Sequence, residues 1–198
     1  VEKFIMARRF MYWQVYLHKT GIVAEKVMIK ILERARALIQ NGEKLECSKT
    51  LTVFLGSDIR FDDFDHSLLE SFSRLDDYDV MSALKSWCDH KDLIMSYLCS
   101  SLINRRLPKI EMRNEEFEAE YIENIREQVK EKMQVNEQEL DFLVYQGNVE
   151  NKAYDPDKEV ISIMYKNGEQ KDIINASDSE SIQALSKTVR KYYLCYPK

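Results

Sequence analysis

Two cations and two phenols recur at helical spacing near the start of this chain, in Ala7-Arg8-Arg9-Phe10-Met11-Tyr12-Trp13-Gln14-Val15-Tyr16-Leu17-His18-Lys19. At roughly 100° per residue, Arg8, Tyr12, Tyr16 and Lys19 share one helix face, and Met6, Phe10, Trp13 and Leu17 share the opposite, apolar face. Arginine offers a planar fork for phosphate, lysine a point charge, and tyrosine a stacking face with a hydroxyl. Such a stripe can grip a phosphorylated ligand that carries a ring. The same spacing also describes the polar side of an ordinary amphipathic helix. His18 falls off the stripe, as a ligand contact in another part of a pocket or as a surface histidine. Arg105 and Lys109 are four apart. On a helix they would share a face and could hold one polyphosphate, or simply complement the dipole at a helix end.

Other chemistry is poorly supported by spacing. Cys47, Cys88, Cys99 and Cys195 show no C-x2-C pattern and read as reduced thiols packed in a cytosolic protein. A Cys–His nucleophile would need Cys88 or Cys99 beside His90, but both cysteines sit in apolar helical patterns. The acids Asp62, Asp63 and Asp65 lack the glycine and terminal glutamate of a calcium loop and suit a helix start.

The elements that must position these residues fall in two styles. Residues 2–40 predict two helices, the second carrying Val23, Val27, Ile31 and Leu38. Gly21 marks a bend between them, and Asn41-Gly42 a C-cap. Leu51–Leu55 reads as a short strand stopped by Gly56. Helices follow from the acidic Phe61–Arg74 stretch, over Asp76–Lys85, and over Asp92–Asn104, with Asp77 and Asp92 as N-caps. After Pro108, Asn114–Met133 is a charged helix with Phe117, Tyr121, Ile125 and Val129 every fourth residue. From Leu140 the period shifts toward two, with strands at Leu140–Val149, Glu159–Tyr165, Gln170–Ile174 and Tyr192–Tyr196. Asn167-Gly168 is a two-residue hairpin turn, and Asp155-Pro156-Asp157 another turn. Ser177-Asp178-Ser179-Glu180 matches a capping box opening a helix to about Arg190. The fold class is therefore α+β: a mainly helical part over 1–110, then a small α+β domain over 111–198 with an antiparallel sheet.

The 198 residues are 44% hydrophobic and 32% charged, enough for a sizeable core. A net charge of −5 offers no general field for nucleic acid. No apolar run approaches a membrane span and no stretch has a signal peptide's h-region, so neither is expected in this segment.

Arg8, Tyr12 and then Val15-Tyr16-Leu17-His18-Lys19 resemble the R-x3-Y/H-x3-Y-x-H-K helix of HD-domain phosphohydrolases, most closely the deoxynucleoside triphosphate (dNTP) triphosphohydrolases. The likeness continues through Ala24–Leu38 and Leu75-Asp76-Asp77-Tyr78-Asp79-Val80. Leu102-Ile103-Asn104-Arg105-Arg106-Leu107-Pro108-Lys109 is similar to the family's R-x-L-F-K segment, with Pro108 in place of Phe. The resemblance implies nucleotide contacts from Arg8 (phosphate), Tyr12 (phosphate or sugar oxygen), Tyr16 (sugar) and His18. It implies a regulatory nucleotide at Lys19, Arg105 and Lys109 between subunits of a cytoplasmic homo-oligomer. It also implies a divalent metal held by a His, a His-Asp pair and a later Asp. Of His18, His66 and His90 none is followed by Asp; Asp65-His66 and Asp89-His90 run in reverse. The expectation is thus a C-terminal portion, beginning at Val1 within a helix. Catalytic residues and metal ligands are expected in the N-terminal HD half of the parent protein, outside this chain.

Overall fold

The computed structural model describes residues 2–152, 154–155, 160–176 and 188–198. The fold is α+β with small antiparallel sheets, as the sequence predicts. Its elements in order are α1 (Glu2–Met11), a π-helical turn (Tyr12–Tyr16), α2 (Lys19–Gln40), α3 (Lys49–Gly56), α4 (His66–Ser73), α5 (Asp77–Trp87) and α6 (Leu93–Ile103). Then come β1 (Lys109–Arg113), α7 (Ala119–Met133), α8 (Glu137–Leu143), β2 (Tyr145–Asn151), β3 (Ser162–Met164), β4 (Gln170–Asp172), α9 (Ile173–Ala176) and β5 (Val189–Tyr196).

These elements form two compact units, each drawn from three stretches: Val1–Ile22, Ile110–Asn124 and Gln146–Cys195 in the first; Val23–Lys109, Ile125–Tyr145 and Tyr196–Lys198 in the second. The sequence-order division at 110 follows the change of style instead, where helices give way to β1.

The second unit is built on α2. Its Val23, Val27, Ile31 and Leu38 are buried, as their spacing predicts. Full burial of Val27 or Ile31 contributes roughly 1.5–3 kcal/mol each. The helix ends in a Schellman turn: Glu43 N–H donates to Leu38 C=O, Gly42 N–H donates to Ile39 C=O, and Gly42 takes φ +86°. Gly21 marks no bend; it lies in the first turn of a continuous α2. In this unit α5 packs on α3 and α6, and α6 on α8.

Four local expectations are corrected here. Leu51–Leu55 is helical, because Ser48 accepts the Leu51 N–H and caps α3, which buries Leu51 and Leu55 one turn apart. Asp76, not Asp77, caps α5, through a reciprocal box with Asp79. Leu140 and Leu143 lie in α8, opened by a capping box between Asn136 and Glu139, so the strand begins at Tyr145. The charged helix α7 starts at Ala119, leaving Phe117 before it.

In the first unit a three-stranded sheet has the order β1-β5-β2. Arg190 on β5 pairs with Glu150 on β2. Gly147 on β2 lies under the Tyr193 ring, where a Cβ would come 2.6 Å from the phenol oxygen. The second sheet pairs β3 with β4, Met164 opposite Gln170. Its hairpin falls at Asn167-Gly168 as expected, but Gly168 alone takes positive φ (+83°). Gly168 N–H donates to Tyr165 C=O, and Tyr165 N–H donates to Glu169 C=O. This is a longer loop closed by a glycine bulge, not a two-residue turn. Ile5 of α1 joins Tyr154 and Ile173 in a small core flanked by Ile161, Ile163 and Ile174. The expected capping box at 177–180 and the turn residues Pro156 and Asp157 lie outside the described residues. Val189 and Arg190, expected at the end of a helix, open β5.

Candidate ligand-binding site

Helix α1 runs into the π-helical turn without a break, and Leu17 N–H closes that turn by donating to Tyr12 C=O at 2.6 Å. This i→i+5 bond matters for the stripe. On an α-helix Tyr16 would overshoot Tyr12 by roughly 40°. The wider π turn advances less per residue, and the two rings remain neighbours across it. Their centroids are 5.3 Å apart at 53°, and the Arg8 guanidinium carbon lies 5.8 Å from the Tyr12 centroid. Arg8, Tyr12 and Tyr16 thus form a continuous cation–aromatic–aromatic ladder, with Arg8 and Tyr16 exposed. Such a ladder can accept a phosphate at one end and a ring or sugar along its length.

The opposite face differs from expectation. Met6 and Phe10, 37% and 56% exposed, are not part of a buried face; Trp13 and Leu17 are half-buried. The buried residue of α1 is Ile5, because that side meets Tyr154 and Ile173.

His18 is exposed and caps α2: its Nδ1 accepts the Thr20 N–H at 3.3 Å. An accepting Nδ1 places the ring proton on Nε2. Lys19 is exposed at the first position of α2 and belongs to the first unit.

Arg105 and Lys109 belong to the second unit and do not share a helix face, which corrects the helical reading of their spacing. Helix α6 stops at Ile103 in a Schellman turn, with Arg106 N–H donating to Ser101 C=O and Arg105 N–H to Leu102 C=O. Arg105 occupies the left-handed position at φ +56°, where glycine is the usual residue. Lys109 opens β1, its ammonium 5.0 Å from the Tyr196 ring centroid.

Cysteine chemistry finds no support in the geometry. Cys99 is fully buried, and burial, then the neighbouring Cys88, push its thiol up to about 12. The Cys88 thiol donates to Leu84 C=O at 3.3 Å. Nδ1 of His90 accepts the Asp92 N–H, and Nε2 lies 3.7 Å from Glu43. Asp65 is spent on capping α4. Among the described residues no three His, Cys, Asp or Glu side chains converge as a metal site would require.

Sequence reasoning missed one partner of the ladder's turn. Lys191 on β5 places its ammonium 5.0 Å from the Trp13 ring centroid. No local signal could have found a contact between residues so far apart in sequence.

The helices and sheets define an α+β protein, and of the expected ligand contacts Arg8, Tyr12 and Tyr16 are the ones brought together. No family model matches the chain. It is similar over its whole length to the crystal structure of a phosphohydrolase from Bacteroides thetaiotaomicron VPI-5482, at 40% identity and a TM-score of 0.90. It is 38% identical over 109 residues to the uncharacterized protein YwfO of Bacillus subtilis, a match covering 54% of this chain. The chain covers 49% of the solved phosphohydrolase and 23% of YwfO.

Proposed function

We propose that this chain is the C-terminal portion of a metal-dependent HD-superfamily phosphohydrolase that acts on nucleotides, in the manner of the dNTP triphosphohydrolases. The observation that carries the reading is the Arg8–Tyr12–Tyr16 ladder on its π-helical turn. The similarity to a protein named a phosphohydrolase supports it. In this reading Arg8 binds a phosphate, Tyr12 hydrogen-bonds a phosphate or sugar oxygen, Tyr16 packs on the sugar, and His18 presents Nε2–H to the nucleotide. A divalent metal held by the N-terminal HD half would activate water and neutralise phosphate charge. No step is assigned to a metal in this chain. The parent is proposed to be a cytoplasmic homo-oligomer.

The test is Arg8→Ala in the parent protein. A charged hydrogen bond contributes about 1.5–3 kcal/mol, so kcat/KM for a dNTP should fall roughly ten- to hundredfold. A lowered melting temperature with unchanged kcat/KM would assign Arg8 to structure instead.

A second reading is a nucleotide-binding regulatory module without catalysis of its own, using Lys19, Arg105 and Lys109. The observation that favours it is the φ of Arg105: a non-glycine in a left-handed cap costs about 1 kcal/mol, and such strain is often retained where the side chain has work to do. A Lys19→Glu, Arg105→Glu double variant should lose nucleotide-dependent assembly while keeping its fold. Sedimentation with and without dNTP reads this, and identical behaviour of variant and wild type would remove the second reading. An H…HD…D set encoded upstream of this segment would favour the enzyme.

A further inference from the structure

The π-helical turn needs something to select it. Phe10-Met11-Tyr12-Trp13-Gln14-Val15-Tyr16 contains no glycine or proline to disturb a helix, so the same residues could continue α1 in α geometry. At the end of the turn Leu17 N–H donates to Tyr12 C=O at 2.6 Å, and the following His18 N–H to Val15 C=O contact is 3.4 Å. Tyr12 and Tyr16 of the ladder both lie in the turn, so a change in its geometry would move their rings.

Trp13 is the second residue of this turn, next to Tyr12 and three before Tyr16. Its ring meets the Lys191 ammonium, 5.0 Å from the centroid, and both side chains are half-buried. A cation over an indole face is the strongest of the common cation–π pairs and strengthens on partial burial. Lys191 itself is held by a paired strand: its neighbour Arg190 bonds Glu150 on β2. Two residues on, Tyr193 lies over Gly147. The sheet therefore presents a fixed cation to one side of the turn, and a fixed Trp13 sets the roll of the turn about its axis. That roll also sets where Tyr12 and Tyr16, in the same turn, are held.

We propose that Lys191 is a positioning residue for the Arg8–Tyr12–Tyr16 ladder, acting through the Trp13 ring to hold the π-helical turn in its ligand-ready geometry. The inference rests on the reading of that ladder as a nucleotide contact surface. Lys191 touches no ligand; it stabilises the arrangement of the residues that do. Arginine should replace it, because a guanidinium also stacks on indole, whereas glutamine should not.

The experiment uses this 198-residue chain as wild type, Lys191→Gln, Lys191→Arg and Arg8→Ala. Amide hydrogen exchange at Leu17 reads the turn, exchange at Leu194 reads the sheet, and calorimetric titration with dGTP reads the ladder. Lys191→Gln should speed Leu17 exchange and weaken dGTP binding, each roughly three- to tenfold, with Leu194 unchanged. Lys191→Arg should restore both within about twofold. Wild-type Leu17 exchange in Lys191→Gln overturns the proposal, as does a loss that arginine fails to rescue or one shared equally by Leu194. Arg8→Ala separates the two readings. If it loses dGTP binding while Lys191→Gln keeps it, the ladder stands and the positioning role falls. If Arg8→Ala binds as wild type, the ladder reading falls, and Leu17 exchange with its arginine rescue alone decides for or against Lys191 as the lock on the turn.

Discussion

Asp92 accepts three hydrogen bonds from two neighbours. Its carboxylate accepts the Met95 N–H at 2.8 Å to cap α6, and it takes both Nε and Nη2 of Arg34 at 3.1 and 2.5 Å. Both side chains are only 14% exposed. Arg34 also lies 3.7 Å from Glu139 and stacks over Phe142 at 5.3 Å. Burial pushes the Asp92 carboxyl upward, but the hydrogen bonds from Arg34 and Met95 and the Arg34 charge outweigh it and hold the group below the usual carboxylate range. A carboxyl depressed in the folded state stabilises above its unfolded value, about 3.9, and that contribution drains away as pH falls through the folded value. We therefore expect Asp92→Asn to be less stable than wild type at pH 7, with the gap narrowing only below about pH 4. Asp92→Ala should cost about 2–4 kcal/mol, combining a lost cap with an unpaired guanidinium. Urea midpoints from pH 7 to 3 measure both, and a gap that narrows above pH 5 would assign the pH dependence to another group.

At the scale of elements, two helices end on residues that the left-handed position disfavours: α6 on Arg105 at φ +56° and α7 on Gln134 at φ +53°. Gln134 is exposed and has no proposed role. Gln134→Gly should raise stability by roughly 0.5–1 kcal/mol, because glycine adopts this conformation without the Cβ penalty. Thermal unfolding checks this, and a destabilised variant would mean that the Gln134 side chain makes a needed contact. Much at this scale was legible in the sequence. Val23, Val27, Ile31 and Leu38 announced α2, Gly42 its end, Asp92 the start of α6, and Asn167-Gly168 a hairpin tip. What stayed hidden has physical reasons. Leu51–Leu55 is an unbroken apolar run, which fits a buried strand as well as a short helix, and only the Ser48 cap decides between them. The π turn leaves no signature in residue type, so the stripe could be read from its spacing but the π turn could not. Arg105 and Lys109 kept a helical spacing across a helix end that no glycine marks.

For the molecule as a whole, the 198-residue chain incubated with dNTPs and Mn²⁺ or Mg²⁺ should show no turnover above a buffer blank. Its three histidines and the lack of converging ligands among the described residues motivate this; activity that co-purifies with the chain would overturn it. Among the described residues no helix is long and apolar enough to cross a membrane. The placement of β5 between β1 and β2 has a consequence for how the protein is made. The centre of that sheet is translated last, roughly 75 residues after β1 has been completed. At about 5–20 residues per second, β1 waits some 4–15 s for its neighbour. During synthesis β1 and β2 are nascent edges without their shared partner, the stage at which chaperone capture or intermolecular pairing competes with folding.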